Sequence, residues 1–227
     1  PHNSLKPQQH MVIELDEGQT QVQSFEPMDW KTADPKDMVE FMKQTGIIGQ
    51  GGAGFPTYVK YLKTDGIDTL LINAVECEPY ITADYKIVMD SVEDFVEGCR
   101  ILQKMAGAKE CLICIKKTHP DIIDCVNKEL NRQQVSAMKV AQVPDVYPMG
   151  GERTLIRTVL KREYDKLPSE CGVIVKNAGT AILTKRAFAS GQSIINKYVT
   201  FSGEALPYPT NDVVPVGMDV TEILAHI

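Results

Sequence analysis

Four glycines fall within six positions, Gly49, Gly51, Gly52 and Gly54, and Phe55, Pro56 and Lys60 follow closely. Glycine weakens helices and strands, so such a run implies backbone that approaches something closely or turns through φ > 0. Exposed amides in a turn beside a helix N-terminus attract anions, phosphate above all. Pro56 suits the first turn of a helix over 56–62, and Lys60 lies about one turn beyond it. The stretch therefore reads as a loop-to-helix phosphate cradle with a lysine in reach. Its G-x-G-G-x-G spacing is not the dinucleotide fingerprint, and no Ser or Thr follows the lysine as in a Walker A loop. A flexible hinge is the plain alternative.

Three further clusters combine small and polar residues. Asn73, Glu76 and Glu78 follow the apolar run 69–73, Gly151, Glu152 and Arg153 follow Tyr147-Pro148-Met149-Gly150, and Asn177 and Thr180 follow the run 172–176. Two carboxylates at a strand end are costly unless they stay wet or hold donors. Polar clusters outside the carboxyl ends of buried strands are where open α/β sheets bind ligands.

The elements between these clusters fit that arrangement. Asp34 or Pro35 opens a helix with Met38, Phe41 and Met42 on one face, stopped by Gly46. Strands are expected at 69–73, 110–115, 139–143 and 172–176. Helices are expected from 82 to 89, from Ser91 as a cap to Gly107, from Pro120, after Gly151, and over 181–190. Alternating helix and strand argue an α/β sandwich with a largely parallel sheet. Residues 1–30 read as a short strand at 11–14, a turn and a further strand at 20–24, leading into a linker that Trp30 anchors. After Gly191 come strands at 198–202 and 213–216 and a helix at 220–225.

Composition narrows the function classes. The chain has 227 residues, 43% of them hydrophobic, and a net charge of −6. Twenty-four basic against thirty acidic residues leave no polycationic face for nucleic acid. No apolar run is long enough to insert into a membrane. The six cysteines are scattered, and Cys111-x-x-Cys114 sits in a strand-like run, so buried thiols are expected rather than a disulfide framework or metal site.

Gly49 to Thr57 followed by Lys60 resembles the flavin loop of the NADH-binding flavoprotein subunit of respiratory complex I and of the RnfC subunit of the Rnf electron transport complex. Asn73-Ala-Val-Glu-Cys-Glu-Pro-Tyr-Ile-Thr-Ala-Asp84 resembles the Rnf version, as do the 147–152, 177–180 and 199–203 runs. The RnfC-like family includes the related protein of proline reductase systems. The resemblance implies a Rossmann-like FMN-binding sandwich over 31–192. The tail of a small β barrel-sandwich module precedes it over 1–30, and the start of a β-grasp (SLBB-like) domain follows over 193–227. It implies FMN and NADH as cofactors. Gly49, Gly51, Gly52 and Gly54 would line the flavin, Lys60 would neutralise phosphate or support the reduced ring, and Asn73 would bond the isoalloxazine. Glu76 and Glu78 would meet the nicotinamide ribose or amide. Gly151 and Glu152 would lie at the flavin and nicotinamide face, with Glu78 and Glu152 as the catalytic pair. Asn177 and Thr180 would reach the ribityl and phosphate, and Phe55 would stack on adenine or flavin, a buried core place being its alternative. Partners would be other Rnf subunits or a soluble reductase such as proline reductase, at the cytoplasmic side of the membrane. The 4Fe-4S cysteine runs of complete family members are absent here. A non-catalytic docking fragment, or an enzyme using the loop for another phosphate ligand, are the competing readings.

Overall fold

A computed structural model describes residues 25–227, so the strands expected over 11–14 and 20–24 lie outside the described residues. The core is a four-stranded parallel sheet of β1 (Thr69–Ala74), β2 (Glu110–Lys116), β3 (Met138–Val143) and β4 (Val173–Asn177) in the order β3-β2-β1-β4. β1, β2 and β4 are short, mainly apolar runs buried on both faces, as central parallel strands require, whereas the edge strand β3 exposes Lys139 and Gln142. The alternation sorts the faces. Leu70, Ile72, Ile113 and Ile174 pack under α1 (Pro35–Gln44), α2 (Ala83–Asp90), α3 (Val92–Ala106), α4 (Pro120–Arg132) and α6 (Ala178–Ser190). Leu71, Leu112, Val173 and Val175 pack under Leu155 and Ile156 of α5 (Glu152–Leu160).

The chain winds β1, β2, β3 outward on one side. It then returns over the α5 face to place β4 beside β1, so the strand order reverses between β1 and β4. Crevices at such reversals are ligand sites in doubly wound sheets. The first helix is as expected, with Asp34 capping the amide of Lys36 and Met38, Phe41 and Met42 buried. Helices α3 and α6 approach closely at Gly98, where a Cβ would stand 1.9 Å from the Ala181 carbonyl oxygen. Cys111 and Cys114 are both fully buried free thiols.

The structure departs from expectation in several places, among them the strand expected at 213–216, which begins at Thr210. The helix expected over 56–62 is a single 3₁₀ turn, Thr57–Tyr61, because the segment is held across its start by a hairpin-like pair of bonds and at its end by Lys60. Helix α6 begins at Ala178, three residues early, because Asn177 caps it. Ser91 does not cap α3, and its hydroxyl accepts from Arg186 instead. Phe55 is 46% exposed on the outside of the glycine loop, so it is no core residue. Beyond α6, β5 (Asn196–Phe201) and β6 (Thr210–Pro215) form an antiparallel hairpin, followed by α7 (Val220–His226). Hairpin and α2 are joined where the Thr82 amide donates to the Thr200 hydroxyl at 3.0 Å.

Candidate functional site

The reversal between β1 and β4 sets Asn73 beside Asn177 as register partners at the strand ends. A cleft of about 720 Å³ opens there, lined by Gln50, Gly51 and Gly52, by Asn73 to Glu78, by Ala83 and Asp84, by Gly150 and Gly151, and by Asn177 and Gly179. Residues 196–200 of β5 close one side. That volume lies in the ordinary range for ligand pockets.

The glycine loop is built as a pinned turn. The Gly49 amide donates to the Phe55 carbonyl at 2.8 Å and the Thr57 amide to the Ile47 carbonyl at 2.9 Å. Between them the chain turns through Gly52 and Gly54 at φ of 121° and 60°, which only glycine adopts readily. Gln50 docks the turn on α6, its amide donating to the Thr180 hydroxyl at 3.0 Å. The amides of Gly51, Gly52 and Ala53 have no partner among the described residues, and Gly51 and Gly52 line the cleft.

Asparagines hold the floor. Asn177 Oδ1 accepts from the amides of Gly179 and Thr180 at 2.8 and 3.4 Å, and its Nδ2 donates to Asp84 Oδ2. Asn73 Nδ2 donates to the Gly150 carbonyl at 2.8 Å while its Oδ1 accepts from the Val75 amide. Asn73 thereby ties the 147–152 loop to β1. Gly150 must be glycine, because a Cβ would stand 2.3 Å from the Val75 carbonyl oxygen. Glu76 is not a loose carboxylate. It accepts from the Asp84 and Tyr85 amides at 2.9 and 3.1 Å, satisfying the open first turn of α2. Glu78 is exposed at the rim. Burial, the Glu76 charge and too little compensation from Asn177 and Lys197 push the Asp84 carboxyl up to about 7.

Other residues singled out from the sequence lie outside the cleft lining. Lys60 Nζ is 2.9 Å from Glu152 Oε2 and donates to the Val175 carbonyl at 3.2 Å, so the pair clips the open edge of β4. Thr180 acts through its hydroxyl on Gln50 rather than from the lining. Gly49 and Gly54 form the legs of the turn, and Phe55 faces outward. Sequence reasoning passed over Asp84, which reads as an ordinary acidic helix start, and Lys197 and Arg186, which also line the cleft. Nothing local in the sequence marks these three, because tertiary packing brings them in from a helix start, a hairpin and a helix interior.

A doubly wound sheet with a glycine-rimmed cleft at its reversal, carrying polar groups at its floor, defines a nucleotide-binding domain. The family model of the Nuo51 FMN-binding domain matches residues 42–185, and the chain belongs to that family. It is 36% identical over 199 residues to the C subunit of the ion-translocating oxidoreductase complex of Serratia proteamaculans, covering 86% of this chain and 28% of that protein. The corresponding protein of Cronobacter sakazakii is 33% identical over 228 residues, covering 99% and 29%. The chain thus spans under a third of the length of these curated relatives. A crystal structure of an NAD+-reducing NiFe-hydrogenase superposes with a TM-score of 0.72 at 21% identity, covering 84% of this chain and 38% of that one, a likeness of fold. No helix among the described residues is long and apolar enough to cross a membrane.

The cleft fits a flavin mononucleotide on its own features. It has amides at Gly51 and Gly52, without partners among the described residues, for an anion, a glycine at each close backbone approach, and amide side chains at the floor for polar ring atoms. The chain's resemblance to flavoproteins of electron transport is thereby matched by a site of suitable size and chemistry.

Proposed function

We propose that the chain is the electron-input module of a longer electron-transfer protein, taking a hydride from NADH and passing electrons on to iron–sulfur clusters or a partner reductase. The observation that carries this reading is the free-amide turn of residues 51–53, docked through Gln50 on Thr180 at the mouth of the cleft. In this reading the turn and the start of α6 hold the FMN phosphate, and Asn73 and Asn177 orient the ring. Gly151 borders the nicotinamide face. Glu78 receives ribose or amide groups of NADH at the rim, where an exposed carboxylate keeps its hydration until the dinucleotide arrives. Glu152, paired with Lys60, fixes the α5 start behind the site. FMN, when bound, supplies the exchange between two-electron and one-electron transfer. No general base is needed for hydride transfer, so the residues' work is to bind, orient and exclude water. The partners would be other subunits of an Rnf complex or a soluble reductase such as proline reductase, met on the cytoplasmic side.

Titrating the purified protein with FMN, then adding NADH without oxygen, tests this. A bound flavin spectrum that bleaches on NADH addition is the expected result. Binding without bleaching removes the NADH assignment, and no binding removes the flavin reading in favour of a docking fragment.

A further inference from the structure

Among the titratable groups lining the cleft, Asp84 is left unused by the proposed electron-input role. Asp84 sits at the start of α2 with one carboxyl oxygen bonded to the Asn177 amide, and it lines the cleft. Through Asn177 it connects to the α6 amides, and through Thr180 to Gln50 and the free-amide turn. Its own backbone amide is held by Glu76. The carboxyl thus stands at the end of an unbroken set of bonds running to the anion-binding turn.

We propose that Asp84 sets the affinity of the cleft for an anionic nucleotide, holding the Asn177 amide through one oxygen and adding or removing a negative charge as it loses or gains a proton. This rests on the flavin-binding reading above. The charged and titratable groups around it are few enough to name. Glu76 faces it from the β1 exit, Lys197 from β5 and Arg186 from α6, while Cys77, Glu78 and Tyr198 line the same cleft. Arg186 is engaged with Asp94 and Ser91, so it offers little charge to Asp84. Lys197 makes no ion pair among the described residues and only partly offsets the burial and the Glu76 repulsion. The carboxyl therefore changes charge near neutral pH, where a carboxylate in water would long have ionised. The protonated form keeps a carbonyl oxygen for Asn177, so the bond network survives the change and the charge alone differs. Asp84→Asn imitates that form, with an acceptor and no charge.

The test compares the FMN dissociation constant of the unaltered protein and of Asp84→Asn, by quenching of flavin fluorescence, from about pH 6 to about pH 8. The titration of the ligand's own phosphate is common to both proteins and cancels in the ratio. The expected result is that the unaltered protein loses about tenfold in affinity relative to the variant across that range, as one unit charge near a phosphate would produce. Parallel profiles overturn the proposal while leaving flavin binding intact. Loss of FMN binding by the unaltered protein overturns both this and the electron-input reading. A ligand-free measurement separates a merely structural role. The folded state holds its proton to higher pH than the unfolded chain, so its stability falls as pH rises from about 4 to about 7. The melting temperature of Asp84→Asn should therefore gain on the unaltered protein over that window. A constant difference overturns the assignment of the titration to Asp84.

Discussion

At the scale of single residues, the fold keeps two ionisable groups away from their usual charge states, and Lys176 is the plainer one. It lies in β4 on the face of Ile174, 4% exposed, and donates to the Thr57 carbonyl at 3.3 Å over the Tyr61 ring. Burial and the nearby Lys60 lower its pKa to about 7, against partial relief from Glu152. The unfolded chain would keep that lysine protonated to about pH 10. Between these limits the unfolded state binds more protons, so stability must rise with pH. The urea midpoint of the unaltered protein should climb between about pH 7 and about pH 8.5, and Lys176→Met should flatten that slope. An unchanged slope would place the titration elsewhere. Tyr61 and Cys99, both pushed well up by burial, act in the opposite sense at higher pH, which sets the upper limit of the window. Lys176 closes the run 172–176 read as a buried strand, and strand alternation puts it on the inward face of Ile174. The 3₁₀ turn that covers it is what makes it buried. A lysine after a glycine run signals phosphate, and the ion pair of Lys60 with Glu152 becomes visible only once α5 returns beside the β4 edge.

At the scale of elements, the apolar runs and their breakers located the strands and most of the helices, because burial on both faces leaves a plain mark in composition. What they did not reveal is how closely elements pack. Gly98 lies in the middle of α3, where alanine would gain about 1 kcal/mol of helix propensity. Its missing Cβ admits the Ala181 backbone, and a methyl group there would overlap a carbonyl oxygen at 1.9 Å. Overpacking against rigid backbone costs roughly 1–3 kcal/mol, so the clash outweighs the propensity. Gly98→Ala should lower stability by denaturant titration, and it should loosen FMN as well, since α6 carries the Asn177 cap and Thr180. A neutral or stabilising result would mean that α3 and α6 can separate freely. The helix starts also fell where expected, except that of α6. Asn177 ends a strand and caps a helix with no intervening loop, so its neighbours Ala178, Gly179 and Thr180 read as irregular chain.

At the scale of the whole molecule, the four glycine-rich or polar clusters recognised in the sequence do meet at one end of the sheet, but not all of their residues line the cleft. Gly51, Gly52, Asn73, Glu76, Glu78, Gly151 and Asn177 line the cleft, whereas Lys60 and Glu152 brace the sheet edge behind it. The clusters were legible because strand ends in a parallel sheet share one edge. The division between lining and bracing depends on side-chain direction, which spacing does not encode. A second long-range tie closes the α/β body. The Phe25 amide donates to the Gly191 carbonyl at 2.8 Å and the Met28 amide to that of Phe188 at 3.0 Å, while Trp30 donates to Glu97. Gly191 turns at φ 65°, and a Cβ there would stand 1.5 Å from the Phe25 carbonyl oxygen. Gly191→Ala should therefore release the segment around Met28 and Trp30, seen as faster proteolytic cleavage there with the sheet still folded. Cleavage at the original rate would show that the ties at Met28 and Trp30 hold the segment without the Gly191 corner.

That tie at Gly191 also bears on how such a body could be moved between proteins. Its incoming and outgoing segments meet at a single corner, a hydrogen bond apart. A stretch of chain with both ends at one point can be spliced into a surface loop of another protein without pulling its host apart.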